Sequence, residues 1–323
     1  MSNVRAGILG TGHAYPSGIL TNADLEKMVD TTDEWIRTRT GIEHRHIAAD
    51  DEATSDLAYK ASLVAIKDAG VAPSDIDLVL VGTTTPDLIF PNVGCLVQEK
   101  LGIRGCPAFS LEAACSGFLY SLVVADQFIR MGQVRRALVI GAETMSRIID
   151  WTDRETCVLF GDGAGAVILE AAEEPGIIYS TLGADGRYRD LLYASSGVST
   201  RHREPAGTAA LRMKGNEVFK VAVKTLENLV DDVIAKNDLE KGQIDWLIPH
   251  QANIRIITAT AKRLQMPMER VILTVREHGN TSAASVPMAL DTAIRDGRIK
   301  RGDLLLLEAF GGGFTWGASL IRY

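Results

Sequence analysis

Glu112-Ala113-Ala114-Cys115-Ser116-Gly117-Phe118 sets a thiol in a run of small residues, and the residues on either side decide the architecture. Upstream, Pro107-Ala108-Phe109-Ser110-Leu111 reads as a short buried strand; downstream, Phe118, Leu122, Ala125 and Ile129 recur at helical spacing. Cys115 is therefore expected at a strand-to-helix elbow. There the unpaired N–H groups of the first helical turn face the sulfur, and the helix dipole favours its thiolate form. Small neighbours leave room for a substrate. A single cysteine is also commonly a core residue, so the weight of Cys115 rests on partners elsewhere in the chain.

Outward from this elbow the chain reads as alternating strands and helices of an α/β protein. A strand over 6–12 opens it, followed by helical patterns over 22–28, 33–39 and 56–69, the last closed by Gly70 and Pro73. Ile76-Asp77-Leu78-Val79-Leu80-Val81-Gly82 is a buried strand. A helix over 93–101 and strands over 137–142 and 161–169 complete a first half. From Gly176 the order starts again. Asp77 and Asp245 each follow an isoleucine and open an apolar strand. Ile8 lies 69 residues before the first and Ile178 lies 67 before the second, while Ala137 and Leu304 lie 60 and 59 residues after them. Two βαβαβ-like halves follow from that spacing, at 1–174 and 175–323. Asn280, 35 residues after Asp245, then falls near the loop equivalent to Cys115, 38 after Asp77, so both should reach a shared midline. The polar stretch 183–207 breaks the pattern and reads as an excursion loop.

At 323 residues and 46% hydrophobic content, the chain can bury a sizeable core as two domains or one duplicated domain. A net charge of −7 leaves no broad basic field for nucleic acid or anionic lipid, so an acidic partner must meet a local basic patch. No signal-peptide core follows Met1 and no apolar run approaches the ~18 residues of a membrane span, so a cytoplasmic protein is expected. Cys95, Cys106, Cys115 and Cys157 show no C-x-x-C spacing, and cysteines and histidines make no metal-ligand pattern. Reduced thiols and no metal are expected.

Three further stretches carry chemistry. His250, in Ile248-Pro249-His250-Gln251-Ala252-Asn253, ends a buried strand before a helix over 253–264. α/β proteins place working side chains at such strand ends, with a structural hydrogen-bond donor as the alternative. Asn280, in His278-Gly279-Asn280-Thr281-Ser282-Ala283-Ala284-Ser285, precedes a helix over 286–294 and is either a helix cap or a neutral donor to a developing oxyanion. Phe310-Gly311-Gly312-Gly313-Phe314-Thr315-Trp316-Gly317 joins two apolar strands. A hairpin at positive φ accounts for some of its glycines, and three in a row also let a bare N–H approach a bound carbonyl. By contrast Gly161-Asp162-Gly163-Ala164-Gly165 lacks both phosphate-loop spacings and is assigned to close packing.

Taken together and in order, Ala-Ala-Cys-Ser-Gly-Phe, Pro-His-Gln-Ala-Asn, Gly-Asn-Thr-Ser-Ala-Ala-Ser and Phe-Gly-Gly-Gly-Phe-Thr-Trp-Gly resemble the thiolase-fold condensing enzymes, specifically β-ketoacyl-[acyl-carrier-protein] synthase III, across essentially the whole chain. The resemblance implies a five-layered αβαβα duplication, usually a homodimer. It implies the initiating condensation of fatty acid synthesis: a primer acyl-CoA loads Cys115, and decarboxylation of malonyl-acyl carrier protein supplies the carbon nucleophile. In that scheme the N–H groups of Cys115 and Gly312 form an oxyanion hole, His250 and Asn280 donate to the malonyl thioester carbonyl, and Phe310 faces the departing carboxylate. The coenzyme A thioester is a substrate, with no bound cofactor. The resemblance maps its arm onto Thr31, Trp35, Arg39, Arg154, Gly215 and Asn253, with adenine between Trp35 and Arg154, although an exposed indole among arginines could equally be fold packing. It maps the carrier-protein surface onto Gln251, Ala252, Asn253, Ile254, Arg255 and Lys220, with Lys262 and Arg263 nearby, against the alternative of a solvated helix face. Phe90 of a partner subunit would complete the acyl pocket.

Two positions depart from the family pattern, which often has Asp at Ser110 and a small residue at Glu112. A carboxylate three positions before the thiol opposes thiolate formation if it faces the site, so Glu112 is expected to point away. A thiolase is disfavoured because the late glycine-rich loop carries no second cysteine, and an elongating synthase because Asn280 stands where those enzymes use a second histidine. Cys, His and Asn are also the working set of thiol hydrolases, in which Asn orients His. A non-enzymatic acyl-binding protein is the remaining alternative.

Overall fold

The computed structural model describes residues 4–173, 176–195, 197–199 and 210–323. The seam drawn at 174/175 and, within the excursion, residue 196 and residues 200–207 lie outside the described residues. β1 (Arg5–Ala14), β2 (Leu78–Gly82), β3 (Ala108–Leu111), β4 (Arg136–Thr144) and β5 (Asp162–Ala172) form one sheet in the order β1-β5-β4-β2-β3. β6 (Ile177–Ala184), β7 (Trp246–Pro249), β8 (Leu304–Gly311) and β9 (Thr315–Arg322) form the other, in the order β7-β8-β9-β6. In the first, β2 runs parallel to β3 and β4, while β5 is antiparallel to β4 and β1. In the second, β7 and β8 are parallel and β9 is antiparallel to both β8 and β6. The order β6-β9-β8-β7 thus repeats β1-β5-β4-β2, and the counterpart of β3 shrinks to a single parallel bridge between Leu247 and Val271.

The two aspartates that set the repeat do the same work in both halves. Asp77 accepts at 2.9 Å from the N–H groups of Arg135 and Arg136 at the head of β4, and Asp245 accepts at 2.8 Å from Leu304 at the head of β8. Each carboxylate satisfies strand-end donors that would otherwise lack partners and so pins the register of a parallel pair.

The helices of eight residues or more are α1 (Asp33–Thr40), α2 (Thr54–Ala69), α3 (Val93–Lys100), α4 (Gly117–Arg130), α5 (Gly215–Lys236), α6 (Ile254–Arg263) and α7 (Ser285–Arg295). α4 and α7 lie between the sheets and touch strands of both; α2 and α3 cover the outer face of the first sheet, and α5 with α6 the outer face of the second. That is the expected five layers. The middle layer buries Phe118, Leu119, Leu122, Ile129, Val286 and Leu290 against Leu80, Val139, Leu305 and Leu307. Each such large side chain contributes about 1.5–3 kcal/mol on removal from water. The glycine run at 161–165 packs as assigned: a Cβ on Gly163 would stand 2.7 Å from the Met288 sulfur and one on Gly165 2.6 Å from the Met288 nitrogen, so α7 lies directly on bare backbone.

Two expectations shift. The pattern over 22–28 yields an α-helix only over Asn22–Leu25, where Thr21 and Asp24 cap it reciprocally; beyond it Lys27 and Met28 make tighter i→i+3 bonds. The polar excursion begins later than 183, because Gly183 and Ala184 still pair with Trp316 and Thr315, and it carries a small ladder of Leu192–Ala194 with Leu211–Met213. Among the described residues no helix is long and apolar enough to cross a membrane.

Candidate active site

A 3₁₀ turn, Ala114–Ser116, leads from β3 into α4 and holds Cys115 buried at its centre. Ala114 sits in the left-handed region at φ 46°, a conformation L residues adopt only when the surroundings impose it. The surroundings are explicit. Thr315 Oγ1 donates to the Ala113 carbonyl at 2.8 Å, and Ser116 Oγ donates to the Thr315 carbonyl at 3.2 Å. A Cβ on Gly82 would fall 2.4 Å from the Gly117 carbonyl carbon, and one on Gly311 2.7 Å from the Cys115 nitrogen. Glycine at 311 therefore lets β8 come up against the nucleophile turn. Gly312 instead backs onto Leu192, and Gly313 alone of the three takes positive φ, at 120°.

The expected thiolate does not follow from this elbow. Burial pushes the Cys115 thiol up to about 12, with the buried Glu143 adding to the rise, while hydrogen bonds from Ser282 and from the residue's own backbone draw it back. Desolvation outweighs the helix terminus. Glu112 is exposed, yet its Oε1 accepts the Ala114 N–H at 3.0 Å, which consumes one donor of the turn, and its charge adds to the rise of the thiol.

The second half delivers an equivalent turn. Ser282–Ala284 is a 3₁₀ turn leading into α7, its first residue again left-handed at φ 49°, and it packs directly on the Cys115 turn. Just before it, Asn280 is held by main-chain bonds to Leu159 and Gly161, at 2.9 and 3.1 Å. Its Oδ1 accepts the Ser282 N–H at 2.9 Å. The oxygen caps the turn, which leaves the NH₂ end to donate, so the two readings of Asn280 coexist in one side chain.

His250 ends β7, its N–H bonded to the Glu308 carbonyl at 2.8 Å. Nδ1 lies 2.7 Å from Ser285 Oγ, and that oxygen already accepts the Gln251 N–H at 3.3 Å. With the serine hydroxyl donating to Nδ1, the imidazole proton sits on Nε2. Burial pushes His250 down to about 3, so the ring is a neutral donor at physiological pH. Phe310, stacked at a tilt 4.7 Å from Phe314, lines the same cavity of about 20 Å³ as His250 and Glu308. Asn280 bonds Ser282, whose turn packs on the Cys115 turn, and Ser285, the residue after that turn, holds His250.

The residues mapped to a coenzyme A arm lie on neighbouring elements. Trp35 of α1 stands with the Arg39 and Arg154 guanidinium groups 5.0 and 4.6 Å from its ring, and Arg154 also donates to the Asp30 carbonyl at 2.6 Å. Thr31 Oγ1 is buried without a partner. α1 packs on α6, and a Cβ on Gly41 would meet Ile254 at 3.0 Å, which brings this cluster beside Asn253. Asn253 caps α6 through Oδ1, at 3.0 Å from Arg255 N and 3.1 Å from Ile256 N, while Gly215 opens α5.

On the mapped carrier surface, Arg255 lies over the Phe219 ring at 4.8 Å, Lys220 and Lys262 are exposed, and Arg263 is ion-paired with Asp231. Gln251 does not belong to that surface. It is 1% exposed, donating to the Pro249 and Ile272 carbonyls and accepting from Thr274 and Val275, so its side chain is spent bracing the loop after β7. Phe90 is 83% exposed, beside exposed Ile89 and Leu88. Among the described residues no three His, Cys, Asp or Glu side chains are grouped to hold a metal ion.

Two buried acids escaped the reading of the sequence. Glu143 ends β4 among hydroxyls, and burial pushes it up to about 7. Glu308 lies on β8 two residues before Phe310, and burial pushes it up to about 8; Thr260 draws it partly back, although neither carboxyl oxygen completes a hydrogen bond. A carboxylate inside Leu304-Leu305-Leu306-Leu307-Glu308-Ala309-Phe310 was the available signal for the second.

One sheet built twice, with a helical layer between the copies and a tight turn from each copy meeting there, defines the thiolase fold; a thiol on one turn facing donors on the other defines a condensing acyltransferase within it. Comparison with known proteins agrees. Models of 3-oxoacyl-[acyl-carrier-protein (ACP)] synthase III match residues 109–186, and of its C-terminal part residues 234–323. Curated β-ketoacyl-[acyl-carrier-protein] synthase III proteins of Thioalkalivibrio sulfidiphilus and Alkalilimnicola ehrlichii are 61% and 64% identical, each alignment covering 98% of this chain and 99% of the relative. The crystal structure of 3-oxoacyl-[acyl-carrier-protein] synthase III from Aquifex aeolicus superposes with a TM-score of 0.93 at 47% identity, covering 98% of this chain and 100% of that one. The chain belongs to the β-ketoacyl-[acyl-carrier-protein] synthase III family.

Proposed function

We propose that this acyltransferase runs the initiating condensation of its family, joining a primer acyl-CoA to malonyl-acyl carrier protein through an acyl thioester on Cys115. The observation that carries the reading is the packing of the Ala114–Ser116 turn, which holds Cys115, on the Ser282–Ala284 turn, which Asn280 caps. Sulfur attacks the primer carbonyl and the coenzyme A thiolate leaves, with the N–H groups of Cys115 and Gly312 facing the transient oxyanion. The malonyl thioester carbonyl then takes hydrogen bonds from His250 Nε2 and Asn280 Nδ2. Carbon dioxide departs past Phe310, the enolate carbon attacks the acyl carbonyl, and the carbon–sulfur bond breaks. A neutral imidazole and a carboxamide suit this task, because the charge they meet appears only in the reaction.

The geometry argues against a thiol hydrolase. Ser285, rather than Asn280, holds His250 Nδ1, so the carboxamide does not orient the imidazole as it does in those enzymes. The coenzyme A arm would run past Trp35, Arg39, Arg154, Thr31, Gly215 and Asn253; adenine entering beside the indole would displace Arg154 from it. The acidic carrier protein would dock on Ala252, Asn253, Ile254, Arg255 and Lys220. A homodimer would cover the edge of β3, partly exposed along its length, and the neighbouring Leu88, Ile89 and Phe90, with Phe90 closing the partner's acyl pocket. Incubation with acyl-CoA should label Cys115, and malonyl-thioester-dependent carbon dioxide release should survive Cys115→Ala; acyl turnover by water alone would reject condensation. Charge reversal at Arg255 should weaken carrier-protein use while sparing acyl-CoA loading, and equal loss of both would reject that docking surface.

A further inference from the structure

Gln251 follows His250 directly, and its carboxamide is filled on every side. Nε2 donates to the Pro249 carbonyl at 2.7 Å and to the Ile272 carbonyl at 3.1 Å; Oε1 accepts the N–H groups of Thr274 at 2.8 Å and Val275 at 3.1 Å. Two hydrogens and two lone pairs are the whole capacity of a carboxamide, and each end here meets only the kind of partner it can serve. The side chain therefore ties the end of β7 to the segment 272–275. The residue is 1% exposed, whereas Arg255 and Lys220 stand in solvent.

Both ends of that tie lead to a working group. On one side, Pro249 is the residue before His250, whose own N–H is held by the Glu308 carbonyl at 2.8 Å. The Gln251 N–H reaches Ser285 Oγ at 3.3 Å, and that oxygen lies 2.7 Å from His250 Nδ1. On the other side, the carbonyls of Thr274 and Val275 accept from His278 and Gly279 at 3.1 and 3.0 Å. Gly279, at φ 63° and with the Leu159 carbonyl oxygen 2.8 Å from where a Cβ would stand, then delivers the chain to Asn280. The two residues that Gln251 holds by their N–H groups thus hold, by their carbonyls, the approach to Asn280.

We propose that Gln251 is a positioning residue of the reaction: its carboxamide fixes the separation between His250 and Asn280, the two donors assigned to the malonyl thioester carbonyl, and takes no part in holding the carrier protein. The inference rests on the acyl-thioester reading above. Donors to a developing oxyanion act through preorganisation, and a misplacement of about 1 Å caused away from the chemistry costs on the order of 10²-fold in rate. The chemistry of the side chain is specific to that task. Glutamate, of the same length, keeps the acceptor and loses the donors; methionine loses both. Loading of Cys115 from acyl-CoA calls on neither His250 nor Asn280 in this scheme, so it should be indifferent to the bracket.

Measuring the two half-reactions separately in the full-length protein tests this: acyl labelling of Cys115 from acyl-CoA by mass spectrometry, and carbon dioxide release from malonyl-acyl carrier protein. Gln251→Met should lower kcat for carbon dioxide release by on the order of 10²-fold. KM for malonyl-acyl carrier protein and the rate of acyl labelling should both stay within about two-fold of wild type. In an Asn280→Ala background the same substitution should cost about ten-fold less, because the spacing it disturbs has already lost one of its members. Gln251→Glu should show the same split and carries the test if Gln251→Met fails to fold by circular dichroism. A raised KM at unchanged kcat makes Gln251 a carrier contact and overturns the proposal, as does an equal fall in both half-reactions or a loss that multiplies in full with that of Asn280→Ala. A wild type without malonyl-dependent carbon dioxide release removes the condensation reading and this inference with it; a wild type that releases it, beside a Gln251→Met variant that keeps its kcat, overturns this inference alone.

Discussion

The turns Ala114–Ser116 and Ser282–Ala284 occupy equivalent places in the two halves, and they differ in what they carry. Both begin with a left-handed residue, both feed a helix of the middle layer, and both are pressed by a glycine of the first sheet, Gly82 against Gly117 and Gly141 against Ala283. On the first turn the working group is a sulfur. On the second it is a set of neutral polar groups: the carboxamide of Asn280 ahead of it, the hydroxyl of Ser282 on it and that of Ser285 just behind. Duplication supplied one geometry twice, and in the proposed reaction the copies take opposite electrical tasks, one to develop charge and the other to receive it.

That division is broken most severely by removing one side. Cys115→Ala should lower overall condensation by on the order of 10⁵-fold or more while leaving malonyl decarboxylation measurable as released carbon dioxide. Asn280→Ala should do the converse, with decarboxylation falling about 10²–10³-fold and acyl labelling of Cys115 preserved. If both half-reactions fell together in each variant, the turns would not be separate in function.

Backbone pressure sharpens the same contrast at smaller scale. A Cβ on Gly141 would stand 2.1 Å from the Ala283 carbonyl oxygen, and one on Gly82 2.4 Å from the Gly117 carbonyl carbon. Gly141→Ala and Gly82→Ala should each destabilise by roughly 1–3 kcal/mol, read by thermal unfolding. The first should slow decarboxylation more than acylation, and the second the reverse.

Glu308, beneath His250, tests burial rather than catalysis. The fold holds its carboxyl near 8 against an ordinary 4.5, so the native state keeps a proton the unfolded chain releases. Native stability therefore falls as pH rises from about 4.5 to about 8, by roughly 1.4 kcal/mol per pH unit. Glu308→Gln should unfold at higher denaturant than wild type at pH 8, with the gap closing toward pH 4.5; a constant gap would refute the assignment. The smallest effect belongs to Glu112. Its exposed carboxylate only borders the first turn, so Glu112→Gln should change the acylation rate by about two-fold.

Much of this was legible before any coordinates. Asp77 and Asp245 announced the repeat because a strand-end carboxylate leaves a local signature, and apolar runs announced the strands. Cys115, His250 and Asn280 stood out as polar groups at the ends of such runs. Three things were not legible. The state of the thiol was misjudged, since a helix terminus is visible in a sequence and the desolvation opposing it is not. Gln251 looked like surface because its neighbours are polar, although its bonding partners lie on segments 21 to 24 residues away. Glu143 follows an apolar strand, and the Ser282 hydroxyl that bonds it lies 139 residues distant.

The amino-acid order by itself determined the duplicated α/β frame, the position of the nucleophile and the kinds of side chain set against it, because periodicity, turn residues and strand-end polarity act over a few residues at a time. Tertiary structure alone decided which protons those groups hold: burial lifts Cys115, Glu143 and Glu308 and lowers His250. Protonation depends on the solvent excluded and the partners gathered around each group, and both are set by segments far apart in the chain.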